Sequence, residues 1–454
     1  MTTPANNTTL PSAPLTRRDF LGAAAALAAA PLLTKLPAAA FAAGSDRIKL
    51  GVIGTGGRGT AAARDCLDAH PSVQLWALGD VFPDRVQDAY KNFTKPGSDS
   101  AKPAKPGKNA KPGKSAATAY GPDRIAVTPE RCFSGFDAYK QVLASGVDLV
   151  ILATPPQFRP LHLEAAIQAG KHVFAEKPVA VDPAGVRKVI SIGELAAQKK
   201  LTIVAGTQRR YAPNYIETMQ RIRDGAIGEI TGGQCYWLQE GLWHRGRNPE
   251  WTEMEYQLRN WLYFTWLSGD HIVEQHIHNI DIMNWAMGGP PVKALGMGGR
   301  QSRTDPKYGN VYDHFAIEYE YANGVRIQSM CRQAPNTMRR VNERIVGSKG
   351  VAMAEGKITG ETNWKYEAAV PNAFKTEHVA LIKSIREGNP LNDAKRVAEA
   401  TLTAILGRTS AYTGKEISYN WMLTASKLDL TPLKYELGAA PKPEIAIPGE
   451  TPLV

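Results

Sequence analysis

Cysteine is scarce in this chain: four residues in 454, at positions 66, 132, 235 and 331. They are far apart and form no C-x-x-C, so the spacing of a structural zinc site is missing. No apolar run beyond the N-terminal leader reaches the length that spans a bilayer. Positive charge is also thin where it would matter. The formal +11 falls to +4 once a net +2 in residues 1–42 and a net +5 in residues 95–114 are set aside. A nucleic-acid footprint has to be carried by a folded basic face, so nucleic acid is excluded as the expected partner. No internal repeat is present. The hydrophobic and charged fractions, 43% and 21%, are those of a soluble globular protein with room for two cores.

The leader itself is informative. "TRRDFLGAAAALAAAPLL" places Arg17 and Arg18 before a weakly apolar, alanine-rich segment, and Ala40-Phe41-Ala42 offers an A-x-A cleavage site. Residues 1–42 resemble a twin-arginine export signal. The resemblance implies passage through the twin-arginine machinery to the periplasm or another exported location. That route takes folded proteins, so a cofactor could travel inside, and free buried thiols are expected rather than disulfides.

After the leader, strand and helix patterns alternate. "RIKLGVI", "VQLWALGD", "GVDLVILAT" and "KHVFAEKP" read as strands, separated by the helical stretches "AAARDCLDA", "DRVQDAYKNF" and "PLHLEAAIQAG". This alternation predicts an α/β domain with a doubly wound parallel sheet over residues 43–178. It is interrupted by a Lys/Pro/Gly-rich insert, 95–119, whose composition can bury no core. From 179 to 425 the texture changes. "HFAIEYEYANG" and "VRIQSMCRQ" read as a hairpin about Asn323-Gly324, and long helical patterns follow near the end. An α+β domain with a large, mostly antiparallel sheet is expected there, with a Pro-rich tail over 426–454 wrapping the surface.

"GVIGTGGRG" contains Gly54, Gly56 and Gly59 as G-x-G-x-x-G between a strand and a helix. In that context the glycines allow a tight turn and close approach of a pyrophosphate to the helix N-terminus. Asp80 ends the second strand, 21 residues after Gly59. A carboxylate there accepts from a ribose 2′-hydroxyl and repels a 2′-phosphate, which favours NAD over NADP. Arg58 and Arg85 could each serve a phosphate.

"ATPPQFRPLHLEAAIQAGKHVFAEKPVA" resembles the Gfo/Idh/MocA family of sugar and polyol oxidoreductases, through its T-P segment, the following His and E-K-P. The resemblance runs from about residue 47 to 425. It implies a Rossmann domain, an open-faced sheet domain that often forms homo-oligomer contacts (a dimer or tetramer), and a nicotinamide cofactor. It places Thr154, Pro155, Pro156 and Glu176 near the cofactor. It points Lys177 at the reacting hydroxyl, where an ammonium stabilises developing alkoxide charge. Arg210 and Tyr211 in "GTQRRYAPNY" become substrate neighbours or structural residues. In "EQHIHNIDIMNW" the resemblance aligns Glu274, His278 and Asp281 at i, i+4 and i+7 on one helix face. His278 is then the proton acceptor in alcohol oxidation, and Glu274 orients it and favours its charged form. This chain has Glu where the family has Asp, and His276 where the family has Gly, which makes His276 a second relay or a residue that bonds a neighbour. A metal held by Glu274, His276 and His278 competes as a reading. Residues two apart on a helix point about 200° apart, which argues against it.

Six of nine tryptophans lie between 237 and 285. Flat rings suit a pyranose face as well as a core. Within "GLWHRGRNPEW", Trp243, His244 and Arg245 are the candidate sugar contacts. The expectation is an exported oxidoreductase acting on a secondary hydroxyl of a carbohydrate, glycoside or polyol, with a retained cofactor. Two alternatives stay open: net glycoside hydrolysis by transient oxidation, and a cofactor-bearing binding protein without turnover, against which the pairing of Lys177 with His278 speaks.

Overall fold

The computed structural model describes residues 46–95 and 120–454. The expected leader and nearly all of the expected Lys/Pro/Gly insert lie outside the described residues. Strand β1 (Ile48–Ile53) is apolar and buried along almost its whole length, the pattern of a strand covered on both faces. It pairs in parallel with β2 (Val73–Asp80) and β4 (Leu149–Leu152). With β3 (Cys132–Ser134), β5 (His172–Ala175) and β6 (Ile203–Ala205) the sheet order is β3-β2-β1-β4-β5-β6. That is the Rossmann order, with its switch point between β1 and β4. The crevice at the carboxyl ends of β1 and β4 is therefore where a ligand binds.

The second sheet has nine strands: β7 (Ile230–Gln239), β8 (Lys293–Gly299), β9 (His314–Glu320), β10 (Arg326–Gln333), β11 (Arg340–Gly347), β12 (Gly350–Met353), β13 (Lys357–Gly360), β14 (Trp364–Lys365) and β15 (Ile417–Ser418). Their order is β14-β13-β12-β11-β7-β10-β9-β8-β15. All pairs are antiparallel except β7 with β10. The expected hairpin joins β9 to β10, with Gly324 at φ +79°. Phe315, Ile317 and Tyr319 alternate inward on β9, against a face covered by helices Ile277–Met287 and Ala394–Thr413. The opposite face is open. There Met297, Ala316, Met330 and Tyr236 form one row across four neighbouring strands.

The division of the chain differs from the expected boundary at 178. The first sheet continues through β6, because the Val173–Ala175 edge of β5 still needs a hydrogen-bonding partner and finds Ile203–Ala205. Helix Ala373–Glu387 also returns to the first domain. Its Leu381, Ile382 and Ile385 share a core with Ile48, Leu50 and Val52.

A third core lies at the rim of the Rossmann sheet. Phe82 and Phe158 meet Met254, Leu258, Tyr263, Phe264 and Trp266 from the segment between β7 and helix Ile277–Met287. The tail seals it without regular structure: Tyr435 packs on Phe158 at 5.2 Å, and the Met254 amide donates to the Gly438 carbonyl. Cys66, Cys132, Cys235 and Cys331 are free thiols, three of them buried. Among the described residues no helix is long and apolar enough to cross a membrane.

Candidate active site

The glycine turn is built where the first two sheet strands end. Gly54 sits at φ +93°, and a Cβ there would stand 2.5 Å from the Thr154 amide nitrogen. A Cβ on Gly59 would meet the Gly54 carbonyl oxygen at 1.8 Å, so this glycine lets helix Gly57–Ala69 lie against the strand. Gly57, by contrast, faces open space. The helix carries no side-chain N-cap, which leaves its first amides available to an anion. These features border a cavity of about 430 Å³ lined by Gly54, Gly56, Arg58, Asp80, Thr154 and Pro155, among others. Open amides, a cradle without side chains and a carboxylate at the end of β2 fit a dinucleotide. Pro156 and Gly59 are not in the lining; they shape the turns behind it.

Asp80 lines the cavity and also holds its rim together. Its Oδ2 accepts from the Thr55 amide at 2.8 Å and its Oδ1 from the Phe82 amide at 3.1 Å. It thereby ties the glycine turn to the end of β2. Burial pushes its pKa up, opposed by those amides and by Arg85. Arg58 borders the cavity but is engaged elsewhere: its guanidinium bonds Glu176 and lies 3.4 Å from Asp65 and 3.5 Å from Glu377. Glu176 is buried and held by Arg58 behind the cavity lining. Arg85 takes part in no ion pair among the described residues.

Lys177 follows β5, beside the β4 end that presents Thr154. Its ammonium donates to the Glu274 backbone carbonyl at 2.6 Å and lies 3.6 Å from Glu274 Oε1. The expected single helix through Glu274, His278 and Asp281 is not what forms. Helix His271–Glu274 stops, and a second begins at Ile277. The break has a visible cause, because His276 turns into the sheet core. It is fully buried, its Nε2 bonds Ser329 Oγ at 2.8 Å, and Cys235 Sγ lies 3.8 Å away. Glu274 sits beside Lys177, and among the described residues no hydrogen bond or ion pair joins its carboxylate to His278. It does not favour a charged imidazole. Burial, then the nearby charges of Lys177 and Arg209, hold the His278 pKa well below its ordinary value. His278 is a neutral imidazole stacked 5.8 Å from the Trp237 ring.

The remaining candidates divide. Arg210 forms a two-pronged ion pair with Asp281 at 2.8 Å on each arm, and Tyr211 donates to Asp393 at 2.6 Å; both link elements of the fold. His276 is structural by the contacts just given. His244 packs against Tyr256 and Tyr263. Trp243 and Arg245 border the cavity with Asp80, on the dinucleotide side of the site. Sequence reasoning missed Arg209, which pairs with Glu343 beneath Trp237. His162, read from the sequence only as part of the family pattern and given no role, lies with its Nδ1 3.2 Å from Thr154 Oγ1. The adjacent basic pair in "QRRY" was the available signal for Arg209, and nothing in the spacing marks His162 beyond the family pattern.

Two family descriptions match the chain in sequence. Residues 48–207 match the oxidoreductase family with an NAD-binding Rossmann fold, and residues 215–353 match the GFO/IDH/MocA C-terminal domain. The chain belongs to the Gfo/Idh/MocA oxidoreductase family. Its cofactor is accordingly NAD, in keeping with the glycine cradle and Asp80. Among curated relatives, inositol 2-dehydrogenase of Rhizobium meliloti is 25% identical over 47% of this chain and 59% of its own length. The 2,7-anhydro-N-acetylneuraminate hydratase of Escherichia coli is 28% identical over 39% of this chain and 44% of its own. The chain spans about half the length of the first curated relatives it matches. In three dimensions it resembles scyllo-inositol dehydrogenase from Lactobacillus casei, a structure with bound NAD(H) and scyllo-inositol. The TM-score is 0.59 and the identity 19%, over 82% of this chain and 99% of that one. At that identity the likeness concerns the fold.

Proposed function

We propose that the protein oxidises or reduces a secondary hydroxyl of a sugar, glycoside or polyol, with NAD as the hydride partner. The observation that carries this reading is a buried His278 whose pKa is held down in part by the nearby Lys177 ammonium, at the carboxyl end of β5 in the sheet that also presents the dinucleotide cavity. When bound, the nicotinamide accepts or returns the hydride. The chain handles the proton and the charge. His278 takes the hydroxyl proton as the alcohol carbon loses hydride, and returns it in reduction. Lys177 donates a hydrogen bond to the substrate oxygen and stabilises its developing negative charge. Glu274 holds the ammonium in place through its carbonyl and carboxylate.

The relation to a hydratase supports a second reading. Transient oxidation acidifies the C–H beside the new ketone, a leaving group is eliminated, water adds, and hydride returns, with no net redox change. We also read the protein as exported through the twin-arginine leader with NAD retained inside it, and as a homo-oligomer joined through the open sheet face. Rapid mixing with a panel of inositols, hexoses and glycosides tests the shared first step by absorbance of reduced nicotinamide. Mass spectrometry of products separates ketones from hydrated or hydrolysed sugars. If no member of the panel reduces bound NAD, the reading fails.

A further inference from the structure

The NAD cavity has a wall that does not come from the Rossmann domain. Trp243, Arg245, Leu258 and Trp261 line it together with Gly56, Asp80, Phe82 and Arg85. By the Rossmann rule, the residues at the end of β2 face the adenosine ribose. The segment from 242 to 261 therefore faces the adenosine half, away from Lys177 and His278, which are not in the lining.

This wall is built, not draped. The Arg245 amide donates to Asn260 Oδ1 at 2.8 Å, and Tyr263 Oη donates to the Trp243 carbonyl at 2.8 Å. Arg259 clamps the segment to the first domain with two 3.0 Å bonds to Asp84, and lies 3.9 Å over the Phe82 ring. The C-terminal tail holds it from behind through Gly438 and Pro441. The side chains that this segment turns to the cavity are aromatic, aliphatic and cationic, with no carboxylate among them. Trp243 is 45% exposed. Neither Arg85 nor Arg245 joins an ion pair among the described residues, although Arg259 beside them has two acidic partners. Burial, then Arg85 and Arg259, press the Arg245 pKa down. Two guanidiniums that join no ion pair line one cavity together with uncapped helix amides, an arrangement that favours an anion there.

We propose that residues 242–261 form a strap that grips the adenosine diphosphate half of NAD, with Arg245 acting beside Arg85 on the phosphate charge and Trp243 and Trp261 covering the nucleoside. The inference rests on NAD being the cofactor. Binding is measured directly on the full chain by tryptophan quenching and by calorimetry, with NAD, NADP and ADP as probes. Arg245→Gln removes an exposed charge and leaves the fold intact, so the melting temperature without nucleotide stays put. Affinity for NAD and for ADP should fall together by about tenfold or more, and the salt dependence of binding should flatten. Trp243→Ala should weaken both ligands in the same way, and Arg259→Ala should speed NAD release. Unchanged NAD and ADP affinity in Arg245→Gln and Trp243→Ala, with wild type binding NAD, overturns the strap alone. Tighter NADP than NAD binding that Arg245→Gln abolishes assigns the arginine to a 2′-phosphate and also overturns it. A wild type that binds no dinucleotide sinks the cofactor reading itself.

Discussion

Two residues with separable roles stand at the centre of the chemistry. His278→Ala removes the proton acceptor, so reduction of bound NAD in the first turnover should slow by ~10²–10⁴. NAD should stay bound, because the imidazole is not in the cavity lining. Lys177→Ala should slow the same step while also retaining NAD. Stopped-flow absorbance checks both, and an unimpaired first turnover in His278→Ala would place the base elsewhere. The neutral state of His278 adds a pH signature. Its pKa lies well below 6.5, so the base is already deprotonated across the neutral range. The rate of alcohol oxidation should show no falling limb near pH 6.5 and should decline only at more acid pH. Lys177 was legible in sequence because E-K-P is contiguous and follows a strand. The role of Glu274 was not, since the i, i+4 argument assumed an unbroken helix. The burial of His276, a contact with strands about 50 residues further on, decides otherwise.

Among the elements, the β1 turn and the helix after it carry the cofactor end of the site, and their tolerance is narrow. A methyl group on Gly59 has no room against the Gly54 carbonyl, and backbone cannot step aside as a side chain can. Gly59→Ala should therefore cost roughly 1–3 kcal/mol of overpacking and weaken NAD binding together with it, read by denaturant melts and by titration. A variant as stable and as tight as wild type would mean the helix slides freely on the strand. This element was readable from nine residues, because turn, strand end and helix start are adjacent in the chain. The strap was not readable in the same way. "GLWHRGRNPEW" announces a polar aromatic loop, but its partner Asn260, and the Asp84 and Gly438 that hold the neighbouring Arg259 and Met254, are set by tertiary packing. The loop thus reads as a sugar contact by composition and sits against the nucleotide half by position. Helix Ala373–Glu387 was likewise recognisable as a helix, while its return to the first domain was hidden, since periodicity shows an apolar face and not what covers it.

At the scale of the whole molecule, the open sheet face and the buried histidines each make a prediction. The row of Met297, Ala316, Met330 and Tyr236 is apolar, with Met297 76% exposed, and on β9 and β10 it is flanked by His314, Glu318, Gln328 and Arg332. A charge placed in its middle, Met330→Glu, should lower the mass seen by light scattering by half or more if this face joins copies of the chain; an unchanged mass would rule the face out. Stability against acid follows from burial instead. His162, His276 and His378 are buried with pKa values pressed down to about 3, and burial holds His271 and His278 well below 6.5. In the unfolded chain each takes a proton near pH 6.5, while in the folded chain each stays neutral. Below that pH the unfolded state binds more protons, so stability falls, by about 1.4 kcal/mol per pH unit for each such histidine. Glu377 works the other way, since burial beside other carboxylates raises its pKa well above 4.5 and keeps its proton in the folded state. It offsets part of the histidine contribution. The melting temperature should therefore drop as pH falls from about 6.5 to 5. Replacing His378 with Phe, beside the Phe174 ring at 4.2 Å, should make that drop shallower; a drop of the same steepness would take His378 out of the set.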